Sequence, residues 1–116
     1  MSDLDDLQKL VLDFRDARDW KQFHNPKDMA ISLVLEATEL LEHFQWKNAD
    51  EIAIKLKTHE KEINDEVVDV LYWVLLIAND LGVDLSKEFK RKMKENDAKY
   101  PVEKAKGTHK KYTELK

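Results

Sequence analysis

Between Val67 and Ala78 the chain reads VVDVLYWVLLIA, eleven apolar residues of twelve, and the one charge among them is Asp69. A helix that is apolar on every side needs neighbours on every side, so this segment organises whatever fold forms around it. A carboxylate inside such a run needs a partner, because an isolated buried charge costs roughly several kcal/mol. No Lys or Arg lies between Asn64 and Leu85 to supply one locally. Glu66 stands three residues earlier, where a helix brings it onto the same face one turn away. The stripe of Glu66 and Asp69 continues through Trp73 and Ile77, so the acids share a core face and point to a bound cation.

A second acidic pair, Glu36-x-x-Glu39, lies inside ISLVLEATELLEHF. Two helices that each offer two carboxylates can make an oxygen cage, and hard cations such as Mg2+ take carboxylate oxygens, waters and substrate phosphates as ligands. The pair also has a plainer reading. Acids make up 24 of the 116 residues, and Glu36 and Glu39 share a helical stripe with Asp28, Ser32 and His43 that suits a solvated face. Thiolate and imidazole chemistry is disfavoured. The chain has no Cys, and its four His show neither His-x3-His nor Glu-x-x-His spacing, which argues against a redox di-metal bundle.

With 116 residues, the size prior gives a single domain, 1–116. Two Gly and two Pro leave few turns, so a chain rich in Leu, Glu, Lys and Asp reads as all-α, a four-helix bundle. The formal charge of -4 argues against a nucleic acid polymer as partner, since such binding rests on excess Lys and Arg. No apolar run is long enough to span a bilayer, and the acidic start MSDLDDLQ is unlike a signal peptide. A cytoplasmic protein with no membrane partner is the expectation, consistent with the lack of Cys.

Apolar spacing predicts a first helix from Asp3 to Trp20 with Leu4, Leu7, Leu10, Val11 and Phe14 inward and Ser2 as N-cap. Asn25 and Pro26 start a second helix that runs to about Gln45. The stretch WKNADEIAIKLKTHE reads equally as a short helix or a loop. The third helix is expected from about Thr58 to Leu81, ended by Gly82, and the fourth from residues 84–86 to about Ala98, before Pro101. The segment 102–116 reads as an extended tail. Covering the third helix on all sides asks for more than three neighbours, which predicts a homo-oligomer, a dimer or tetramer.

So arranged, the chain resembles the MazG-like all-α nucleoside triphosphate pyrophosphohydrolases, whose signature is Glu-x-x-Glu on one helix and Glu-x-x-Asp on a later one. RDWKQFH, FQWK, KMKENDAKYP and KYTEL, together with the four acids, are most similar to the dCTP pyrophosphatase group. The resemblance implies Mg2+-dependent cleavage of dCTP or a related nucleotide to the monophosphate and pyrophosphate, a house-cleaning reaction on the nucleotide pool. Glu36, Glu39, Glu66 and Asp69 would be the metal ligands and catalytic acids, with Glu39 the candidate to orient water. Trp20, Phe23, His24, Trp46 and Trp73 would meet the nucleoside, since aromatic rings stack on bases. Phe44 stays in the core. Lys92, Asn96, Lys99 and Tyr100 would meet the phosphates; Lys92 and Asn96 lie one turn apart on one helix face. Val11 and Trp73 depart from the group's His and Tyr, which leaves base preference open. The alternative from another class is a non-catalytic helical interaction module.

Overall fold

The computed structural model describes residues 2–115. Six α-helices carry the chain: α1 Asp3–Ala17, α2 Pro26–Glu42, α3 Ala49–Thr58, α4 Glu60–Leu81, α5 Leu85–Lys99 and the short α6 Val102–Ala105. Two 3-10 turns, Lys21–Phe23 and Tyr112–Glu114, complete it, with no strand among the described residues. The all-α expectation holds, whereas the count of four helices does not. The chain forms two compact units, Met1–Gly82 and Val83–Lys116.

Helix ends follow local chemistry. Ser2 and Asp5 form a reciprocal capping box at α1, and Asn25 caps α2 by accepting from the Asp28 N–H, with Pro26 in the first turn. A second capping box, Asn48 with Glu51, starts α3 and resolves the ambiguous stretch as helix. Only His59 separates α3 from α4, so the long helix begins at Glu60 rather than Thr58. Gly82 closes α4 at φ 69, a left-handed conformation that costs glycine nothing. The first helix stops at Ala17, three residues short of the expectation, because the chain tightens there: Arg18 and Trp20 both donate to the Arg15 carbonyl.

In the first unit α4 is the axis against which α1, α2 and α3 pack. Its core is small: Met29 of α2 and Ile63, Leu75, Leu76 and Ala78 of α4. The inward stripe of α2 runs Met29, Leu33, Glu36, Leu40, His43, and that of α4 runs Ile63, Glu66, Val70, Trp73, Ile77, Asp80. Helix α1 is rotated relative to the expectation. Leu4, Gln8, Val11 and Arg15 turn inward, whereas Leu7, Leu10 and Phe14 are substantially exposed. Gln8 earns its inward place by donating to the Leu75 carbonyl at 3.0 Å.

In the second unit, Asp84 caps α5 and Glu95 gathers cations along it. The segment expected to be an extended tail instead contains α6 and the second 3-10 turn, with Tyr112 edge-on to Tyr100 at 6.2 Å.

Candidate active site

The four acids divide into an inner and an outer pair. Glu36 and Glu66 occupy the inward stripes of α2 and α4, whereas Glu39 and Asp69 are exposed beside them. This corrects both simple expectations. The Glu36 position is no solvated face, and Asp69 is not buried: its neighbours Val67, Val68 and Leu71 are exposed as well. The twelve-residue apolar run is therefore exposed on one side at its start, where only Val70 turns inward, and covered on every side only from Tyr72 onward.

The inner carboxylates lack their normal satisfaction. Glu36 Oε2 is buried with no hydrogen-bond partner. Its carboxyl is pushed above the usual range, first by burial, then by the adjacent Glu39 carboxyl, and further by the charges of Asp69 and Glu66. Glu66 Oε2 is likewise buried without a hydrogen bond of sound geometry, although His43 Nε2 lies against it as an ion-pair partner. The sequence places His43 on the stripe of Glu36 and Glu39, but only the structure gives it a role, against Glu66. His43 falls seven residues after Glu36 and four after Glu39, on their face, and that periodicity was available to reading.

Among the described residues, no three acids or histidines are already drawn together tightly enough to enclose a metal ion. The donors nevertheless suit one. The buried Glu36 Oε2 has no partner, the set is all carboxylate, and the two outer acids are free of ion pairs among the described residues, a chemistry that suits a hard cation.

Beyond the acids along α4, Trp73 stands edge-on to His24 at 5.3 Å and to Tyr72 at 5.3 Å. Trp20 packs edge-on to Phe14 at 5.7 Å, with the Arg18 guanidinium 3.7 Å above the Phe14 ring. Phe23 is 66% exposed and so contributes little to a core, while Phe44 is half-buried. Trp46 is the extreme case. The residue is 91% exposed and its backbone sits at φ 67, in a turn closed by the Lys47 N–H to the Phe44 carbonyl at 3.1 Å. A bulky residue at positive φ costs on the order of 1 to 3 kcal/mol, and such strain concentrates at functional positions.

Lys92, Asn96, Lys99 and Tyr100 all belong to the second unit. There Lys92 and Lys99 flank Glu95 at 3.6 and 3.5 Å, holding its carboxyl below the usual range, Lys92 first. Exposed pairs of this kind contribute little to stability.

The chain matches the MazG-like family over residues 31–115. It is 36% identical over 114 residues to dCTP pyrophosphatase 1 of Rattus norvegicus and to that of Homo sapiens, an alignment covering 97% of this chain and 67% of each relative. Its fold matches a pyrophosphatase from Archaeoglobus fulgidus with a TM-score of 0.81 and 35% identity, over 87% of this chain and 94% of that one. The chain belongs to the MazG-like family. The resemblance drawn from its motifs is borne out, including the likeness to dCTP pyrophosphatases.

Proposed function

We propose that this chain is a nucleoside triphosphate pyrophosphohydrolase acting on dCTP or a related deoxynucleotide of the cytoplasmic pool. Water adds to the α phosphorus, the bond from that phosphorus to the α–β bridging oxygen breaks, and pyrophosphate and the monophosphate leave. The observation that carries this reading is the buried Glu36 Oε2, which has no partner, facing Glu66, whose buried Oε2 meets only the His43 ring, with Glu39 and Asp69 beside them. Its likeness to named pyrophosphatases supports the same reaction.

Glu36, Glu39, Glu66 and Asp69 would hold Mg2+, which when bound neutralises phosphate oxygens, the main task in phosphoryl transfer. Glu39, the exposed member of its pair, orients the attacking water and takes its proton. The exposed rings of Trp20, Phe23 and Trp46 offer stacking faces to the base, with Trp73 and His24 beside them. By likeness to the family motif, Lys92, Asn96, Lys99 and Tyr100 of the second unit are the candidates to meet phosphate.

The protein acts as a homo-oligomer, a dimer or tetramer. Val34, Leu35 and Leu41 of α2 and Val67, Val68 and Leu71 of α4 are exposed, and an apolar cleft of about 140 Å3 lies between α1 and α4. Patches of this kind on a single chain mark association surfaces.

A screen of the common nucleoside triphosphates with Mg2+, detecting pyrophosphate and orthophosphate separately, tests the reaction. Pyrophosphate release is expected, with dCTP among the best substrates. Orthophosphate as the first product, or no turnover of any triphosphate, contradicts the reading.

A further inference from the structure

At the other end of α4 from the acids, Arg15 is 1% exposed, the least accessible charge in the described chain. Its guanidinium grips Asp80 with both arms, Nη1 to Oδ2 at 2.7 Å and Nη2 to Oδ1 at 2.9 Å. Nη1 also faces His24 Nδ1 at 3.3 Å. A guanidinium has five N–H donors and no acceptor, so Nδ1 of His24 must be the acceptor in this contact. The ring proton is thereby assigned to Nε2.

We propose that Arg15, fixed by Asp80, is a positioning residue that holds His24 as its Nε2–H tautomer, presenting a hydrogen-bond donor to the nucleoside half of the substrate. The inference rests on the pyrophosphohydrolase reading for its ligand, and on contacts within the first unit for its geometry. Three further observations agree. His24 lies edge-on to Trp73, four residues and so about 6 Å along α4 from Asp69, where a nucleoside whose phosphates sit at the acids would reach. His24 and Asp80 also line a cleft of about 350 Å3 together with Lys21 and Asn79, within the roughly 300 to 1,000 Å3 of small-molecule pockets. Burial, then the Arg15 charge, holds the His24 pKa below its ordinary value, keeping the ring neutral. The complementary atom is an acceptor: a base carbonyl, a ring nitrogen or a sugar oxygen.

Long-range proton–nitrogen correlation on the 15N-labelled full chain at pH 7.5, with His24→Gln to assign the ring, reads the tautomer without substrate. The Nε2–H pattern is expected in the wild type; an Nδ1–H or imidazolium pattern overturns the proposal. Arg15→Lys keeps the charge but loses the fork, and Asp80→Asn serves should that variant fail to fold. Either should lose the single Nε2–H pattern and raise KM for the nucleoside triphosphate about 2- to 12-fold, the worth of one hydrogen bond, with kcat within about twofold. Inhibition by inorganic tripolyphosphate, which has no nucleoside, should not change. An unaltered KM, or equal losses for nucleotide and tripolyphosphate, overturns the nucleoside role. If the wild type turns over no nucleoside triphosphate, the functional reading and that role fall together, while the tautomer measurement still judges Arg15.

Discussion

The two ends of α4 solve the problem of a buried charge in opposite ways. At the carboxyl-terminal end, Asp80 receives both arms of Arg15, and its carboxyl is held below the usual range, chiefly by that bond. At the amino-terminal end, Glu66 and Glu36 keep buried oxygens without hydrogen bonds, and the carboxyls crowd one another. Glu66 and Asp80 are acids on one stripe of α4. Asp80 is gripped through two oxygens by a guanidinium, whereas Glu66 meets only the His43 ring and the buried Glu36 Oε2 meets nothing among the described residues. The difference separates structural from functional acids without appeal to position in the sequence.

Variants at the two ends should therefore fail differently. Asp80→Ala strands a buried guanidinium, and removing one partner of a buried pair costs about 3 to 5 kcal/mol, to be read from urea unfolding. A loss under about 1 kcal/mol would place this pair among weak surface contacts. Asp69→Ala and Glu66→Ala should each cut turnover at least tenfold at saturating Mg2+, about 1.4 kcal/mol of barrier. Asp69 is exposed, so its variant should keep the wild-type unfolding free energy in urea within about 0.5 kcal/mol. A well-folded Asp69→Ala that retains full activity would remove that residue from the site.

Protonation sharpens the contrast. The folded His24 pKa lies below its unfolded value of about 6.5, so its contribution is present above that pH and is lost as pH falls through the folded value. Asp80 has the same sign at lower pH, its contribution lost as pH falls through a folded pKa below 3.8. Urea unfolding at pH 7.5 and 5.5 should show the wild type losing more stability than His24→Gln on acidification. Equal losses would mean that the ring is not held neutral by its surroundings. The smallest effect is expected from Glu39→Gln, which removes one of the crowded charges. Its stability in EDTA should rise by a few tenths to about 1 kcal/mol while activity falls, and a lower melting temperature would show that the acids do not repel as described.

Much of this molecule could be read from its sequence where the cause is local. Asn25 with Pro26, Asp84 and Gly82 announce helix ends within four residues, and Glu36, Glu39, Glu66 and Asp69 announce themselves by spacing. The Asn48 to Glu51 capping box was equally local and settles α3, yet the short polar stretch around it also suits a loop. Burial was harder. The apolar run from Val67 suggests an enclosed helix, but Val67, Val68 and Leu71 in its first turns stay exposed, and that depends on how far α1, α2 and α3 reach. Arg15 and Asp80 are 65 residues apart and belong to no motif. The only trace is that Arg15 continues the Leu4, Gln8, Val11 stripe, a position where an amphipathic reading expects an apolar side chain and prefers the Leu7, Leu10, Phe14 face instead.

The central claim is that the acids at the start of α4 await a cation and the acid at its end does not. Thermal unfolding with increasing Mg2+ tests it directly, because a ligand bound only by the folded state stabilises it, by about 2.7 kcal/mol at one hundred times its dissociation constant. Wild type and Asp80→Asn should both gain melting temperature with Mg2+, from different starting points, while Glu66→Gln should gain little or nothing. No Mg2+-dependent gain in the wild type, or the same gain in Glu66→Gln, would contradict the account.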